Sequence, residues 1–61
     1  MNKAREIINT INGNGGLDLS FMRYNARQEN KSLERYMYEY VKDCYECHGN
    51  TARAVIDYYL Y

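Results

Sequence analysis

The feature that most constrains the fold is a run of apolar side chains at alternating spacings of four and three residues. The run consists of Leu33, Met37, Tyr40, Cys44 and Cys47. This spacing predicts a helix from residue 30 or 32 to residue 48 with one buried stripe, because every third or fourth residue returns to the same side. Gly49, directly after His48, predicts the helix end, since glycine adopts the left-handed cap and a charged imidazole suits that end.

The first segment of the chain also shows helical spacing. Its apolar side chains are Ala4, Ile7, Ile8 and Ile11. They follow the i, i+3, i+4, i+7 pattern of an amphipathic helix, with Asn2 as a candidate N-cap and Gly13 as a candidate C-terminal glycine. Residues 12–16, Asn-Gly-Asn-Gly-Gly, tolerate positive φ and disfavour regular structure, so we predict a flexible loop there.

Two further helices are predicted. Asp18 is a candidate N-cap for a helix that begins at Leu19. The apolar side chains of this helix are Phe21, Met22 and Ala26. Residues 17–22 also alternate in a way that fits a strand, but we find no second strand to pair with it and favour the helix. A last helix is predicted over residues 50–60.

These elements predict an all-α fold, a small bundle of three to four short helices in a single domain, residues 1–61. A chain of this length buries only about 60% of the surface that its unfolded form exposes, which makes a single core marginally stable. We therefore expect dimerisation to complete the bundle.

The order of charges supports a homodimer. Basic residues at spacings of four are followed by acidic residues at spacings of four and three. The bases are Arg23, Arg27, Lys31 and Arg35, and the acids are Glu39, Asp43 and Glu46. Two copies paired antiparallel would place each basic half beside an acidic half. The alternative is a solvated face with a break near residues 28–31.

Composition argues against several classes of protein. The formal net charge is zero, with eight basic and eight acidic residues, so no overall field attracts nucleic acid. No apolar stretch approaches the roughly 20 residues of a membrane span, and the first residues lack the apolar core of a secretory signal. We expect a cytoplasmic protein. Frequent asparagine and tyrosine without proline suggest an AT-rich coding source such as a phage or mobile element.

Cys44, Cys47 and His48 form the pattern C-x-x-C-H, which attaches haem in c-type cytochromes. On a continuous helix the same three side chains share a face and could bind zinc with a fourth ligand such as Asp43. No Met or His follows His48 to serve as a second axial ligand, and no other Cys or His is present. We therefore favour packing roles for these residues and predict no cofactor, no metal and no enzymatic activity.

The eight tyrosines are too many for a core of this size, so several must lie at the surface. Tyrosine is enriched at binding surfaces because it combines a large apolar ring with a polar tip. The predicted interaction surface consists of Arg35, Tyr36, Tyr38, Glu39, Tyr40 and Tyr45. Tyr24 with Arg23 and Arg27 would alternatively suit the stacking of nucleic-acid bases.

Residues 48–54, His-Gly-Asn-Thr-Ala-Arg-Ala, resemble the start of the helix-turn-helix in the Fis-type family. In that family a helix ends in Gly-Asn and the next helix carries small residues. The resemblance implies a DNA-binding regulator. A turn and a recognition helix come afterwards in the family, whereas this sequence ends at Tyr61, so no base-reading role is transferred to any residue.

We predict a small non-enzymatic protein–protein interaction module, for example an inhibitor or adaptor from a phage or mobile element that binds a host protein. A homodimer is expected. One alternative function is a small helix-turn-helix-like DNA-binding regulator. Another is haem or zinc binding through Cys44, Cys47 and His48.

Overall fold

The protein is described by a computed structural model over residues 2–61, which form four α-helices and no strand. The helices are α1 (Lys3–Gly13), α2 (Leu19–Gln28), α3 (Leu33–Tyr45) and α4 (Gly49–Leu60). The predicted all-α class and helix number are confirmed. The predicted strand alternative over residues 17–22 is wrong, since α2 begins at Leu19.

Polar side chains set the starts of the first three helices. Asn2 Oδ1 accepts a hydrogen bond from the Ala4 amide at 2.9 Å, and Asp18 Oδ1 accepts one from the Phe21 amide at 3.1 Å. Ser32 Oγ does the same for the amide of Arg35 at 3.1 Å. Each bond satisfies an amide that has no partner inside its helix, so the predicted caps at Asn2 and Asp18 are confirmed.

Left-handed residues end α1 and α2. Gly15 has φ +102° and Asn30 has φ +56°. The amide after each of them bonds back to a helix carbonyl, from Gly16 to Ile11 and from Lys31 to Ala26, both at 2.9 Å. This is the Schellman arrangement. Gly13, predicted to follow α1, is instead its last residue, because the left-handed position falls two residues later.

The predicted end of α3 at His48 and Gly49 is wrong. The helix ends at Tyr45, and Glu46 adopts the left-handed conformation with φ 48° and ψ 52°. Gly49 is the first residue of α4, and a Cβ built on it would collide with the hydroxyl of Tyr38. The glycine is thus used for close approach between α3 and α4 rather than for a helix cap.

The core is apolar and draws on all four helices. The buried residues are Ala4, Ile7, Ile8, Ile11, Met22, Ala26, Met37, Val41, Ala52, Val55 and Ile56. No polar or charged residue is buried within residues 2–61. Helix α4 packs against both α1 and α3, and α2 packs mainly against α3, so the spatial order is α1, α4, α3, α2. Helix α2 therefore lies at the edge of the bundle.

The buried stripe of α3 differs from the predicted one. Met37 and Val41 are fully buried, whereas Tyr40 is half-buried and Cys44 is exposed. Tyr40 lies one residue before Val41 and Cys44 lies three residues after it. Their side chains are therefore rotated from that of Val41 by about 100° and 60° in the same direction, which places both along one edge of the stripe. The placement of Cys44 in the buried seam is therefore wrong.

One chain already has the dimensions of a compact monomer. Its radius of gyration is 11.0 Å, close to the roughly 10.5 Å expected for a domain of this length. Its accessible surface is 4356 Å², near the roughly 4,200 Å² expected from its mass. Dimerisation stays a prediction that the packing of one chain does not require.

Within residues 2–61, none of the helices combines the length and the apolar character that crossing a bilayer requires.

Candidate functional site

Helix α3 divides the predicted interaction surface between two sides. Tyr36 and Tyr40 lie one turn apart, with interplanar angle 21° and ring centroids separated by 6.5 Å. Tyr38 is two residues from each of them, a rotation of about 200°, and so lies on the opposite flank. Glu39 lies about 60° from Tyr36, and Arg35 lies further round the helix and is joined to this group through its ion pair with Glu39. The structure therefore brings Tyr36, Glu39 and Tyr40 together, with Arg35 at their margin, and separates Tyr38 and Tyr45 from them.

Tyr38 and Tyr45 have packing contacts. Tyr38 is partly buried against both apolar clusters of the core, and Lys42 Nζ lies 5.7 Å from its ring centroid. Its hydroxyl approaches Gly49 of α4. Tyr45 is partly buried against the cluster formed by α1, α3 and α4. Both side chains are therefore positioned to stabilise the bundle.

The Tyr36–Tyr40 pair is connected to α2. Asn25 Nδ2 donates a hydrogen bond to Tyr36 Oη at 3.2 Å. Tyr40 packs against the core, and burial is the main reason that its pKa is raised, with smaller contributions from Cys44, Tyr45 and Tyr36. These contacts hold the two rings beside the outer surface of α2.

Charges around the tyrosine pair are matched within the chain. Lys31 forms ion pairs with Glu39 and, at 3.1 Å, with Glu29, and Arg35 Nε lies 3.1 Å from Glu39 Oε2. Hydrogen bonds to Glu39 and Glu29 raise the pKa of Lys31. Those from Lys31 and Arg35 lower the pKa of Glu39. The turn between α2 and α3 thus brings Lys31 of the basic block to Glu39 of the acidic block. It also provides the break near residues 28–31 that belongs to the solvated-face alternative.

An open depression of about 190 Å³ lies beside this network. It is lined by Glu29, Lys31, Tyr36, Glu39, Tyr40 and Asp43. Two tyrosine rings and four charged groups give it a mixed character that suits a polar side chain of a partner rather than an apolar ligand.

The outer surface of α2 carries two exposed aromatic rings, one of which was predicted to face the core. Phe21 is 61% exposed and Tyr24 is 60% exposed, whereas Met22 and Ala26 are buried. The placement of Phe21 on the apolar, core-facing side of α2 is therefore wrong. The i, i+4 pair Met22 and Ala26 fixes the buried side, and Phe21 lies about 100° from Met22. That spacing was the signal available in the sequence.

Arg23 and Arg27 accompany these rings. Helix α2 contains no acidic residue, and among residues 2–61 neither arginine forms an ion pair. On a helix, Tyr24 lies about 60° from Phe21 and from Arg27, and Arg23 lies about 40° from Arg27. We call these four residues, Phe21, Arg23, Tyr24 and Arg27, the α2 strip.

A second and larger depression, about 410 Å³ in volume, lies between α1 and α4. Its lining consists of Asn2, Ala4, Arg5, Ile8, Ala54, Asp57 and Tyr58. The small side chains of Ala4 and Ala54 leave this space between the two helices, and Tyr58 at its rim is exposed. None of the predicted interaction residues lines it.

The C-x-x-C-H residues do not share a helix face. Because α3 ends at Tyr45, Cys47 and His48 lie in the turn that follows, and His48 is the N-cap residue of α4. Cys47 Sγ is 3.8 Å from the carbonyl oxygen of Val41. The zinc alternative depended on the prediction that these three side chains share a helical face, and that prediction is wrong. Within residues 2–61, no three His, Cys, Asp or Glu side chains are grouped as metal ligands would be.

In the segment that resembles a helix-turn-helix, the helices begin and end at different residues from those that the resemblance implies. Gly49 and Asn50 open α4 instead of ending a helix, and the turn before them comprises residues 46–48. Arg53 is the only basic residue of α4, and it pairs with Glu34 at 2.9 Å and with Asp57 at 3.3 Å. The α4 surface therefore offers no unpaired cation to a phosphate backbone.

Glu34 ties α3 to the end of the chain. Its Oε2 accepts hydrogen bonds at 2.9 Å from Arg53 Nη2 and from Tyr61 Oη. The bond from Tyr61, followed by the charge of Arg53, lowers the pKa of Glu34. These contacts hold the α3–α4 pair together.

Comparison of the chain with protein-family models, with curated proteins and with solved structures found no match. Function is therefore inferred from the geometry of the surfaces. Exposed aromatic rings beside charged groups can contact another macromolecule. Of the four large apolar side chains that are exposed within residues 2–61, Phe21 and Tyr24 lie on α2, and Tyr58 and Tyr61 lie near the end of the chain.

Proposed function

We propose that the protein is a small non-enzymatic interaction module that binds another protein through the adjoining surfaces of α2 and α3. The observation that carries this proposal is the exposure of Phe21, the only phenylalanine of the chain. A large apolar side chain that the core does not use is available to a partner, and aromatic residues are enriched in the centres of protein interfaces.

The surface extends from one helix to the next. Phe21 lies one turn before Asn25 on α2, and Asn25 is hydrogen-bonded to Tyr36 on α3. Tyr36 in turn lies beside Tyr40. A partner that covers Phe21 and Tyr24 would therefore also reach the predicted residues Tyr36 and Tyr40, with Arg35 and Glu39 at the rim.

The protein acts by occupying a surface of its partner, as an inhibitor or adaptor does. The homodimer predicted from the sequence belongs to the same proposal, because a second copy is also a protein partner. Light scattering coupled to size exclusion at micromolar concentration separates the two cases. A mass twice the chain's 7.3 kDa supports the homodimer, and a mass equal to it refutes the homodimer while leaving a different partner in place.

The experiment that tests the function is affinity capture from source-cell extract, followed by direct binding of the captured protein to the original protein and to two variants. The double change Phe21→Ala with Tyr24→Ala should abolish binding. Tyr58→Ala is the matched control, because Tyr58 is 57% exposed on a different helix. Circular dichroism establishes that all variants fold. Equal binding by the double variant would refute the α2–α3 surface, and purified protein that binds no protein in the extract would refute the function.

A further inference from the structure

We propose that the α2 strip binds an acidic segment of the partner, one that presents carboxylates beside an apolar side chain. This inference rests on the proposed function and names the chemistry of the partner. It is carried by the combination of two exposed rings with two arginines that form no ion pair within residues 2–61.

The arginines of α2 and Arg5 of α1 form no ion pair within residues 2–61, in contrast to the arginines of α3 and α4. Arg35 is paired with Glu39, and Arg53 is paired with Glu34 and Asp57. Arg23 and Arg27 are one turn apart, and like charges at this spacing destabilise a helix when no acid compensates them. A carboxylate from a partner would both pair with them and relieve their repulsion.

The acids nearest to α2 in the sequence are already engaged. Asp18 caps the helix by accepting the amide of Phe21, and Glu29 pairs with Lys31. Neither forms an ion pair with Arg23 or Arg27. The charge of the strip is therefore positive, and charge complementarity calls for an anionic partner.

The aromatic half of the strip decides which anionic partner fits best. Around the helix, Tyr24 lies between Phe21 and Arg27, and Arg23 lies next to Arg27 on the far edge from Phe21. An occupant must therefore supply apolar contact along one edge and negative charge along the other. An acidic amphipathic segment does both. A nucleic acid would gain only two phosphate contacts from the strip, which gives a weak affinity, and the net charge of zero adds no long-range attraction.

The test is a titration of the isotopically labelled protein followed by NMR. The probe is a synthetic helical peptide of about 15 residues with two Glu one turn apart and two Leu on the adjacent side. Two comparison probes are the same peptide with Gln in place of Glu and an oligothymidylate. We expect the acidic peptide to shift the amides of residues 21–27 and to bind at least tenfold more tightly than either comparison probe.

Two variants locate the charge contact. Arg23→Gln with Arg27→Gln should weaken binding of the acidic peptide at least tenfold. Lys3→Gln with Arg5→Gln is the matched control, because it removes the same charge from exposed positions of α1 and should change binding less than twofold. The inference would be overturned if both double variants lost the same affinity for the acidic peptide, or if either comparison probe bound more tightly than that peptide. It would also be overturned if the peptide shifted no amide signal of residues 21–27.

Failure of the inference that the partner is acidic can be distinguished from failure of the proposed function. One outcome is that the captured protein fails to bind the double variant Phe21→Ala with Tyr24→Ala and yet binds the arginine double variant as tightly as the original protein. In that case the interaction surface is correct and the inferred acidic chemistry of the partner is wrong. If loss follows both double variants, both proposals are supported.

Discussion

Helices α2 and α3 are neighbours, but their side chains have different surroundings. Arg35 and Glu39 of α3 are paired with each other, and Glu39 also holds Lys31. Arg23 and Arg27 of α2 have no such partner within residues 2–61. Helix α3 lies between α2 and α4, whereas α2 lies at the edge of the bundle. Arg35 and Glu39 of the central helix thus find charge partners within the chain, whereas Arg23 and Arg27 of the edge helix are exposed to solvent and to other molecules.

The largest expected effect is in the interior of α3. Met37 is fully buried, so Met37→Ala should lower the free energy of unfolding by about 2–5 kcal/mol through lost burial and the cavity left behind. Phe21→Ala, an exposed change on α2, should stay within about 0.5 kcal/mol. Urea denaturation measures both. Similar losses in the two variants would contradict the distinction between a central and an edge helix.

The contact between α3 and α4 is expected to give the next largest effect. Gly49→Ala should destabilise the protein by about 1–3 kcal/mol, because the new Cβ meets the Tyr38 hydroxyl. In a Tyr38→Phe background this loss should largely disappear, since the ring carbon that remains is 3.5 Å away, an ordinary contact.

Gly13→Ala is the control for this prediction. Nothing lies within 4 Å of a Cβ built at Gly13, so alanine there should stabilise α1 by about 0.5–1 kcal/mol. A thermal or urea denaturation series of the four variants gives the result. An unchanged cost of Gly49→Ala in the Tyr38→Phe background would show that the hydroxyl is not its cause.

The charge network of α3 predicts a dependence of stability on pH. The folded-state pKa of Glu39 is lowered by its bonds to Lys31 and Arg35. The contribution of the Glu39 carboxylate to the free energy of unfolding is therefore fully present when the pH is above 4.5, the ordinary pKa of this group. It is lost as the pH falls through the lower pKa of the folded state. Glu39→Gln should reduce the loss of stability on acidification below pH 4.5, as measured by urea midpoints.

Glu34 also contributes to the loss of stability in acid, because its pKa is lowered in the folded state as well. The Glu39→Gln variant should therefore retain part of that loss. The double change Glu34→Gln with Glu39→Gln should retain less. An acid dependence identical to that of the original protein in all variants would contradict the assignment of these ion pairs to the folded state.

The smallest expected effect concerns α2. Removing one of two like charges at i, i+4 should stabilise the helix, so Arg23→Gln should raise the free energy of unfolding by about 0.2–0.5 kcal/mol at low salt, and added salt should reduce the gain. Arg35→Gln, which breaks the pair with Glu39, should have the opposite sign. A destabilising Arg23→Gln would indicate a contact of Arg23 within the folded chain.

Local patterns were sufficient to predict most of the helices. The caps at Asn2 and Asp18 and the spacing of Ala4, Ile7, Ile8 and Ile11 depend only on neighbouring residues, and the structure confirms them. The end of α3 was predicted wrongly. Glycine after a histidine is a common helix end, but here the packing of Tyr38 on Gly49 places that glycine at the start of α4, and Glu46 takes the left-handed position instead.

The candidate site could be predicted only in part. The spacing of Tyr36, Glu39 and Tyr40 indicated a shared side of one helix, and the structure brings these residues together. Tyr38 was grouped with them because it is close in sequence, although two residues along a helix reach the opposite flank. Phe21 was assigned to the core by its apolarity, although the i, i+4 pair Met22 and Ala26 indicated a buried side about 100° away from it. The position of α2 at the edge of the bundle leaves the ring of Phe21 exposed.

The sequence alone determined the helical class and the starts of the first helices, because a cap or an apolar stripe acts within a few residues along the chain. The tertiary structure alone decided which charges are paired, where α3 stops, and which aromatic rings remain exposed. Those properties depend on contacts between residues far apart in sequence, such as Glu34 with Arg53 and Tyr38 with Gly49. The sequence already grouped Tyr24 with Arg23 and Arg27 as a candidate surface. The tertiary structure added the exposed ring of Phe21 and showed that neither arginine forms an ion pair within residues 2–61.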